Sequence, residues 1–393
     1  MQTPGLICLK NYFLMRILQL GKFYPIRGGV EKVMWDLTRG LAAEGHTCDM
    51  LCASYDGAKE VQILRFAQND KKAQNDKGRC IVLPCRHQAA GTMLCPQMIG
   101  WLRRHASEYD LIHVHHPDPM ACLALRLSGY KGRVILHWHS DILKQKAILA
   151  AYKPLQSWLI RRAERIVGTT PVYVAQSQAL QGVQEKVTYV PIGIDPIVYD
   201  PEKATEIQAR YPGKKIIYSL GRLVPYKGYT YLIQAGQYLP DDYIILIGGK
   251  GPLQESLQAE INSLHLQEKV KLLGFVADED HAALYGAAKV FVMSSVMKTE
   301  AFGIVQIEAM STGTPVVATK IPESGVSWVN EDGVSGLNVE PGDPKALAEA
   351  IRTICEDPER YKCYSEQAQV RFSRLFAYSN MIDKIVRLYE NDA

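Results

Sequence analysis

Three short apolar runs in the second half of the chain each empty into a glycine-led loop, and this repetition constrains the fold more than any other feature. Ile216-Ile217-Tyr218-Ser219-Leu220 runs into Gly221-Arg222-Leu223-Val224-Pro225-Tyr226-Lys227-Gly228. Tyr243-Ile244-Ile245-Leu246-Ile247 opens into Gly248-Gly249-Lys250-Gly251-Pro252-Leu253, and Val270-Lys271-Leu272-Leu273 into Gly274-Phe275-Val276. Apolar runs of this length, bounded by glycine, read as short buried strands. Open α/β sheets bind their ligands at the carboxyl ends of such strands, so three successive strands deliver their loops to one edge. The first of these loops carries two permanent cations, Arg222 and Lys227.

A fourth segment adds acids to the same neighbourhood. In Glu300-Ala301-Phe302-Gly303-Ile304-Val305-Gln306-Ile307-Glu308, one carboxylate precedes a helix expected to begin near Phe302 and the second lies inside it. Gly313 is placed to end that helix, and Val316-Val317-Ala318 starts another strand. The free backbone N–H groups at the helix start, with the helix dipole, favour an anion there. Cations and a helix terminus suit a polar ligand that carries phosphate.

The ordered set Gly-Arg-x5-Lys-Gly, Gly-x-Gly-Pro-Leu, Gly-Phe-Val and Glu-x7-Glu with Phe-Gly inside it resembles the donor half of the retaining family-4 glycosyltransferases of GT-B fold. The resemblance runs from about Met15 to the C-terminus. It implies an α/β architecture of two Rossmann-like domains facing each other across a cleft, with a nucleotide-sugar as donor. It further implies that Arg222 and Lys227 stabilise the departing diphosphate, with backbone N–H groups near Phe302, Gly303 and Ile304 adding to them. Glu300 then holds hydroxyls of the transferred sugar and Glu308 the ribose, and Gly251, Phe275 and Val276 complete the donor site. No cofactor and no metal are expected, because side-chain cations and a helix end do the work of a cation.

The first half carries its own signals. Ile17 to Leu20 reads as a strand leading to Gly28-Gly29 and a helix with Val33, Leu37 and Leu41 on one face and Gly45 past its end. Glycines there let the backbone approach a bulky charged ligand, and the resemblance places Gly28 and Gly29 opposite the donor diphosphate. Asp110 to Pro117 and Arg133 to Asp141 read as two histidine-rich strands. His115, His137, His139 and Asp141 are metal-ligand types. The resemblance instead aligns His139 with a histidine that contacts the sugar and acceptor, leaving His113, His115, His116 and His137 to shape the cleft or fill the core.

Charge and cysteine usage narrow the setting. Residues 1–195 hold 25 Lys plus Arg against 15 Asp plus Glu, which leaves 20 against 26 for the remainder, so the halves carry +10 and −6. A cationic half fits nucleic acid, an anionic membrane or an anionic acceptor. Zinc-finger spacing and a basic region joined to heptads are both absent, which argues against nucleic acid. Asp141 to Arg165 interleaves cations with Leu155, Trp158 and Leu159, a pattern suited to peripheral contact with an anionic membrane, and equally to a solvated helix face. The apolar stretch from Leu6 to Leu20 is interrupted by Lys10, Asn11 and Arg16, short of the ~20 residues a membrane span needs. Nine scattered cysteines without a zinc spacing read as reduced thiols of a cytoplasmic protein.

The expected organisation is an amino-terminal, acceptor-side Rossmann-like domain over residues 15–195, a nucleotide-sugar-binding domain over 214–370, and a helix over 371–393 returning to the first domain. Residues 1–14 read as an extension, and the tandem hexapeptide within 67–78 as a loop insertion. His-Trp-His-Ser-Asp together with Ser324 to Asn330 resembles mannosyl- and rhamnosyltransferases of bacterial surface-polysaccharide pathways. That favours GDP-mannose or GDP-rhamnose as donor and a glycan on a polyprenyl diphosphate, or another lipid-linked acceptor. The alternatives are a UDP-hexose-dependent transferase and a non-catalytic subunit that binds nucleotide-sugar without turnover.

Overall fold

The computed structural model describes residues 14–26, 28–54, 62–65, 78–85, 87–89, 92–142 and 146–390. The extension before Leu14 and the hexapeptide over 67–77 lie outside the described residues. The chain divides into two compact units: Met1–His137 with Gln145–Ile166 and Ile382–Ala393, and Trp138–Lys144 with Val167–Met381.

The second unit contains a six-stranded sheet in which every neighbouring pair is parallel. Its spatial order is Val270–Gly274, Tyr243–Gly248, Lys215–Leu220, Val290–Met293, Val316–Thr319 and Gly336–Val339. Numbered along the chain, that is 3-2-1-4-5-6, the doubly wound order with a switch point between its first and fourth strands. Parallel sheets are covered on both faces, which explains why Tyr243–Gly248 is apolar throughout rather than alternating. Ile217, Ile245, Ile247, Val292 and Val317 pack with Leu232, Leu257, Ile261, Leu347 and Ile351 from the flanking helices. Replacing such a buried Ile or Leu by Ala costs about 2–5 kcal/mol.

The first sheet repeats the logic. Its order is Val187–Tyr189, Arg165–Gly168, Arg133–Trp138, Leu111–His116, Arg16–Tyr24, Thr47–Ser54, Arg79–Pro84 and Gln62–Arg65. The last strand is antiparallel to its neighbour and closes that edge. The amphipathic helix foreseen after Gly28 forms over Gly29–Ala43 and buries Val33, Leu37 and Leu41; Gly45, just past its end, has φ 104. The histidine strands end at His116 and Trp138, and His139, at the boundary of strand and loop in the sequence, lies in the loop. The eight cysteines among the described residues are free thiols.

The C-terminal segment departs from the expected single helix. Helix Pro358–Arg371 gives way to a π turn over Phe372–Phe376 before a further helix, Tyr378–Tyr389. The cause is backbone competition: Ile194 N–H donates to Phe376 O at 2.9 Å and Tyr378 N–H donates to Ile194 O at 2.9 Å. Ala377 between them takes an extended conformation, and the helical ladder is interrupted there.

A buried polar stack lies inside the first unit. The rings of His113, His115 and His137 stack with centroids 5.0–5.3 Å apart. His113 Nδ1 meets the Tyr389 hydroxyl at 2.5 Å and His115 Nε2 meets Gln19 Oε1 at 2.7 Å, while Gln19 Nε2 donates to Tyr389 at 3.3 Å. Burial drives all three imidazoles below their ordinary values, His137 to about 3. The folded state thus binds fewer protons than the unfolded chain once pH falls below the free-histidine value near 6.5. Stability is retained above that value and lost on acidification toward the folded one, by about 1.4 kcal/mol per pH unit for each group. Thermal melts across pH 7 to 5 should show a falling Tm, and His137→Gln should flatten that slope; an unchanged slope would contradict the reading.

Candidate functional site

The switch point of the second sheet lies between Lys215–Leu220 and Val290–Met293, and the loops leaving these two strands carry the cations and the first carboxylate. After Leu220 the chain passes Gly221 and Arg222 and closes a single 3₁₀ turn at Pro225–Lys227. After Met293 it passes Ser294 and Ser295 and reaches Glu300. The two loops are stitched together by Ser294 Oγ donating to Lys227 O at 3.0 Å and Val296 N–H donating to Tyr226 O at 2.8 Å.

That stitching brings Lys227 Nζ to 2.5 Å from Glu300 Oε2, with side chains only 13% and 12% exposed. Ser295 Oγ donates to the same carboxylate oxygen at 3.1 Å. Glu300's own backbone is fixed too: its N–H donates to Met297 O at 2.9 Å and its carbonyl accepts from Ser324 Oγ at 2.5 Å. Lys227 and Glu300, which the family resemblance assigns to different parts of a ligand, thus pair with each other. Arg222 is exposed, and its nearest polar contact is Nη2 to the Tyr226 hydroxyl at 3.4 Å.

The helix that follows spans Ile304–Ser311 rather than starting at Phe302. Gly303 precedes it with φ 78, where a Cβ would lie 2.5 Å from Met293 Sδ, so only glycine fits. No side chain caps this end, which leaves its first N–H groups available to a ligand. The Phe302 ring does not face a ligand: it is 4% exposed and meets Phe376 edge-on at 5.9 Å, so only its backbone can serve.

Glu308 sits in this helix with a partner that sequence reading missed. The Tyr285 hydroxyl donates to Glu308 Oε2 at 2.9 Å, and His281 Nε2 lies 3.4 Å from the same oxygen. Tyr285 and His281 come from the helix Asp278–Ala287, four residues apart and so on one face. That spacing is the only sequence signal for them. Gly251 lies in the loop held by Leu223 N–H donating to Lys250 O and Leu253 N–H donating to Leu223 O. Phe275 is 72% exposed beneath the Lys250 ammonium, 5.9 Å from its ring centre, and Val276 is half-buried.

His139, in the loop after Trp138, is 5% exposed. Asp141, which the sequence offered as a metal-ligand type, is engaged otherwise: Trp138 Nε1 and Ser177 Oγ both donate to its Oδ1, at 2.9 and 2.7 Å. In the first unit, Gly28 caps the helix Gly29–Ala43, and a Cβ on it would lie 2.6 Å from Glu31 Oε2. Lys22, at the end of the strand Arg16–Tyr24, donates its backbone N–H to Asp118 Oδ2 at 2.6 Å. Burial lowers the Lys22 ammonium against the opposing pull of Asp118 and Glu31.

Comparison with known proteins agrees with this architecture. Residues 27–197 match the family described as Glycosyltransferase Family 4, and residues 200–371 match Glycosyl transferases group 1. The chain is 29% identical to O-antigen chain mannosyltransferase C of Escherichia coli, over 95% of this chain and 98% of that one. It is 30% identical to D-rhamnosyltransferase WbpZ of Pseudomonas aeruginosa, over 92% of each. The crystal structure of Anabaena Alr3699/HepE in complex with UDP superimposes with a TM-score of 0.76 at 23% identity, covering 96% of this chain and all of that one. A doubly wound donor-type sheet, paired motifs at its switch point and full-length similarity therefore converge: the chain belongs to the family-4 glycosyltransferases of GT-B fold and transfers sugar from a nucleotide-sugar donor.

Proposed function

We propose that this enzyme is a retaining, metal-independent hexosyltransferase that moves mannose or rhamnose from a GDP-sugar to a growing glycan on a polyprenyl diphosphate. The observation that carries the reading is the Lys227–Glu300 pair at the switch point, in a chain whose relatives include a mannosyltransferase and a rhamnosyltransferase. Breaking the sugar–phosphate bond builds charge on the leaving β-phosphate, and that charge must be stabilised as it forms. Arg222 offers a planar fork for it and Lys227 a compact point charge. The uncapped start of Ile304–Ser311 adds its N–H groups. Charge supplied in this way leaves no step that needs a cation.

The carboxylates have other work. Glu300 orients hydroxyls of the transferred sugar once Lys227 turns to phosphate, and Glu308, backed by Tyr285, holds the ribose. A glycosidase-type pair flanks its bond with two free carboxyls, whereas both of these acids are already engaged. Retention then follows from attack on the face the diphosphate leaves, with the phosphate taking the acceptor's proton and His139 contacting sugar and acceptor.

The surface supports a membrane-side acceptor at the inner, cytoplasmic face. Arg103, Arg104, Arg126, Lys153 and Arg161 are exposed on the helices Gln97–His105, Pro119–Ser128 and Lys146–Arg162. Arg126 lies over the Trp158 ring at 5.2 Å, a cation beside an apolar body of the kind that rests on anionic lipid. No helix among the described residues is long and apolar enough to cross a membrane. A UDP-hexose remains the second donor reading, favoured by the similar structure that holds UDP.

Nucleoside-diphosphate release from a panel of GDP- and UDP-sugars, with EDTA and with a lipid-diphosphate glycan, tests this. Acceptor-dependent release from a GDP-hexose, insensitive to EDTA, is expected; release from UDP-hexose alone would correct the donor. Binding without release would favour a non-catalytic subunit. Arg222→Met and Lys227→Met should each lower kcat by about 10²-fold or more. Tyr285→Phe should act differently, raising the donor KM severalfold with little change in kcat, because it loosens a contact made equally in ground and transition states.

A further inference from the structure

Two residues before Glu300, the Lys298 ammonium stands between two carboxylates. It lies 3.3 Å from Asp141 Oδ2 and 2.6 Å from Glu323 Oε2. The partners are not equivalent. The Asp141 side chain is 14% exposed and that of Lys298 21%, against 48% for Glu323. Burial pulls the Lys298 ammonium down, yet the hydrogen bonds and charges of Glu323 and Asp141 outweigh it and hold the group above its ordinary value.

Asp141 is itself locked in place. Besides the Trp138 and Ser177 donors on Oδ1, its backbone N–H donates to the Tyr173 hydroxyl at 2.7 Å. Oδ2 is thereby aimed at Lys298 by groups that do not belong to the Glu300 loop. His139 lies two residues before Asp141, Glu300 lies two residues after Lys298, and all four belong to the second unit. The Lys298–Asp141 pair therefore ties the segment carrying His139 to the loop carrying Glu300.

We propose that Lys298 is a positioning residue of the transfer reaction, whose ion pair with Asp141 keeps His139 and Glu300 in register on the transferred sugar. The proposal rests on the roles given above to His139 and Glu300. A part-buried pair of this kind is weak as a source of net stability, because desolvation offsets much of the attraction. Its value is geometric: a displacement of 1 Å away from the reacting atoms costs about 10²-fold in rate. Glu323 is the solvent-side arm, and a half-exposed ion pair contributes little.

The test uses the full chain with Lys298→Met, Lys298→Arg, Asp141→Asn, the Lys298→Met/Asp141→Asn double variant and Glu323→Gln. For each, kcat, the ratio of free hexose to transferred hexose, and the Kd of nucleoside diphosphate alone are measured. Lys298→Met and Asp141→Asn should each lower kcat by about 10- to 100-fold and divert more donor to water, because a misaligned sugar is open to solvent. Nucleoside diphosphate lacks the sugar, so its affinity should stay within about twofold. The double variant should be no worse than either single one, Lys298→Arg should recover most of the rate, and Glu323→Gln should stay within about twofold of wild type. Wild-type kcat and partition in Lys298→Met, additive losses in the double variant, or a fall in diphosphate affinity matching the fall in kcat would each overturn the proposal. A wild-type enzyme that releases no diphosphate from any donor overturns the transferase reading and this proposal with it, an outcome distinct from an inert latch in an active enzyme.

Discussion

The ion pair between Lys227 and Glu300 is the contact on which the rest of the donor site depends. Two opposite charges 2.5 Å apart, each mostly shielded from water, attract far more strongly than an exposed pair, though desolvation takes back much of that gain. The pair satisfies both groups and holds the loops after Leu220 and Met293 together. In the proposed reaction a nucleotide-sugar offers each partner something better matched: its diphosphate would give Lys227 a doubly charged acceptor, and its sugar hydroxyls would give Glu300 several donors. On that proposal the site is held in shape by an interaction that substrate replaces rather than one that substrate must build.

Sheet order explains why these residues meet. In a 3-2-1-4-5-6 sheet the chain leaves its first and fourth strands in opposite directions, so a crevice opens between their carboxyl ends. Arg222 and Lys227 ride on one loop, Glu300 on the other, and Gly303 turns the second loop into the helix that carries Glu308. Glu308 is reached from behind by Tyr285, on a helix that follows the third strand. The eight-stranded sheet of the first unit also reverses its strand order beside its first strand, and there Lys22 meets Asp118.

Three strands of the second sheet were legible because each is a short apolar run stopped by glycine, whereas Val290–Met293, followed by Ser294, lacks that stop; the cation loop and both acids were legible because they stand at fixed spacings along the chain. The helix read as beginning near Phe302 starts at Ile304: the Phe302 ring is drawn into contact with Phe376, and Gly303 takes a left-handed conformation before the helix begins. The break at Ala377 was invisible for a similar reason, since it depends on backbone pairing with Ile194, far upstream. Asp141, His113 and His115 stand out singly in the sequence, but the Lys298–Asp141 pair and the Gln19–His115–His113–Tyr389 network leave no local pattern; Gln19 and Tyr389 are 370 residues apart. Spacing reports what one element can do, and contacts between elements distant in sequence leave no trace in it.

The claim that substrate replaces the Lys227–Glu300 pair is tested most directly by calorimetric binding of nucleoside diphosphate to wild type and Glu300→Gln, alongside turnover of the matching nucleotide-sugar. Neutralising Glu300 frees Lys227 for phosphate, so affinity for the sugar-free diphosphate should rise severalfold while turnover falls by about 10²-fold. A loss of diphosphate affinity in Glu300→Gln, or turnover that survives the change, would contradict the account.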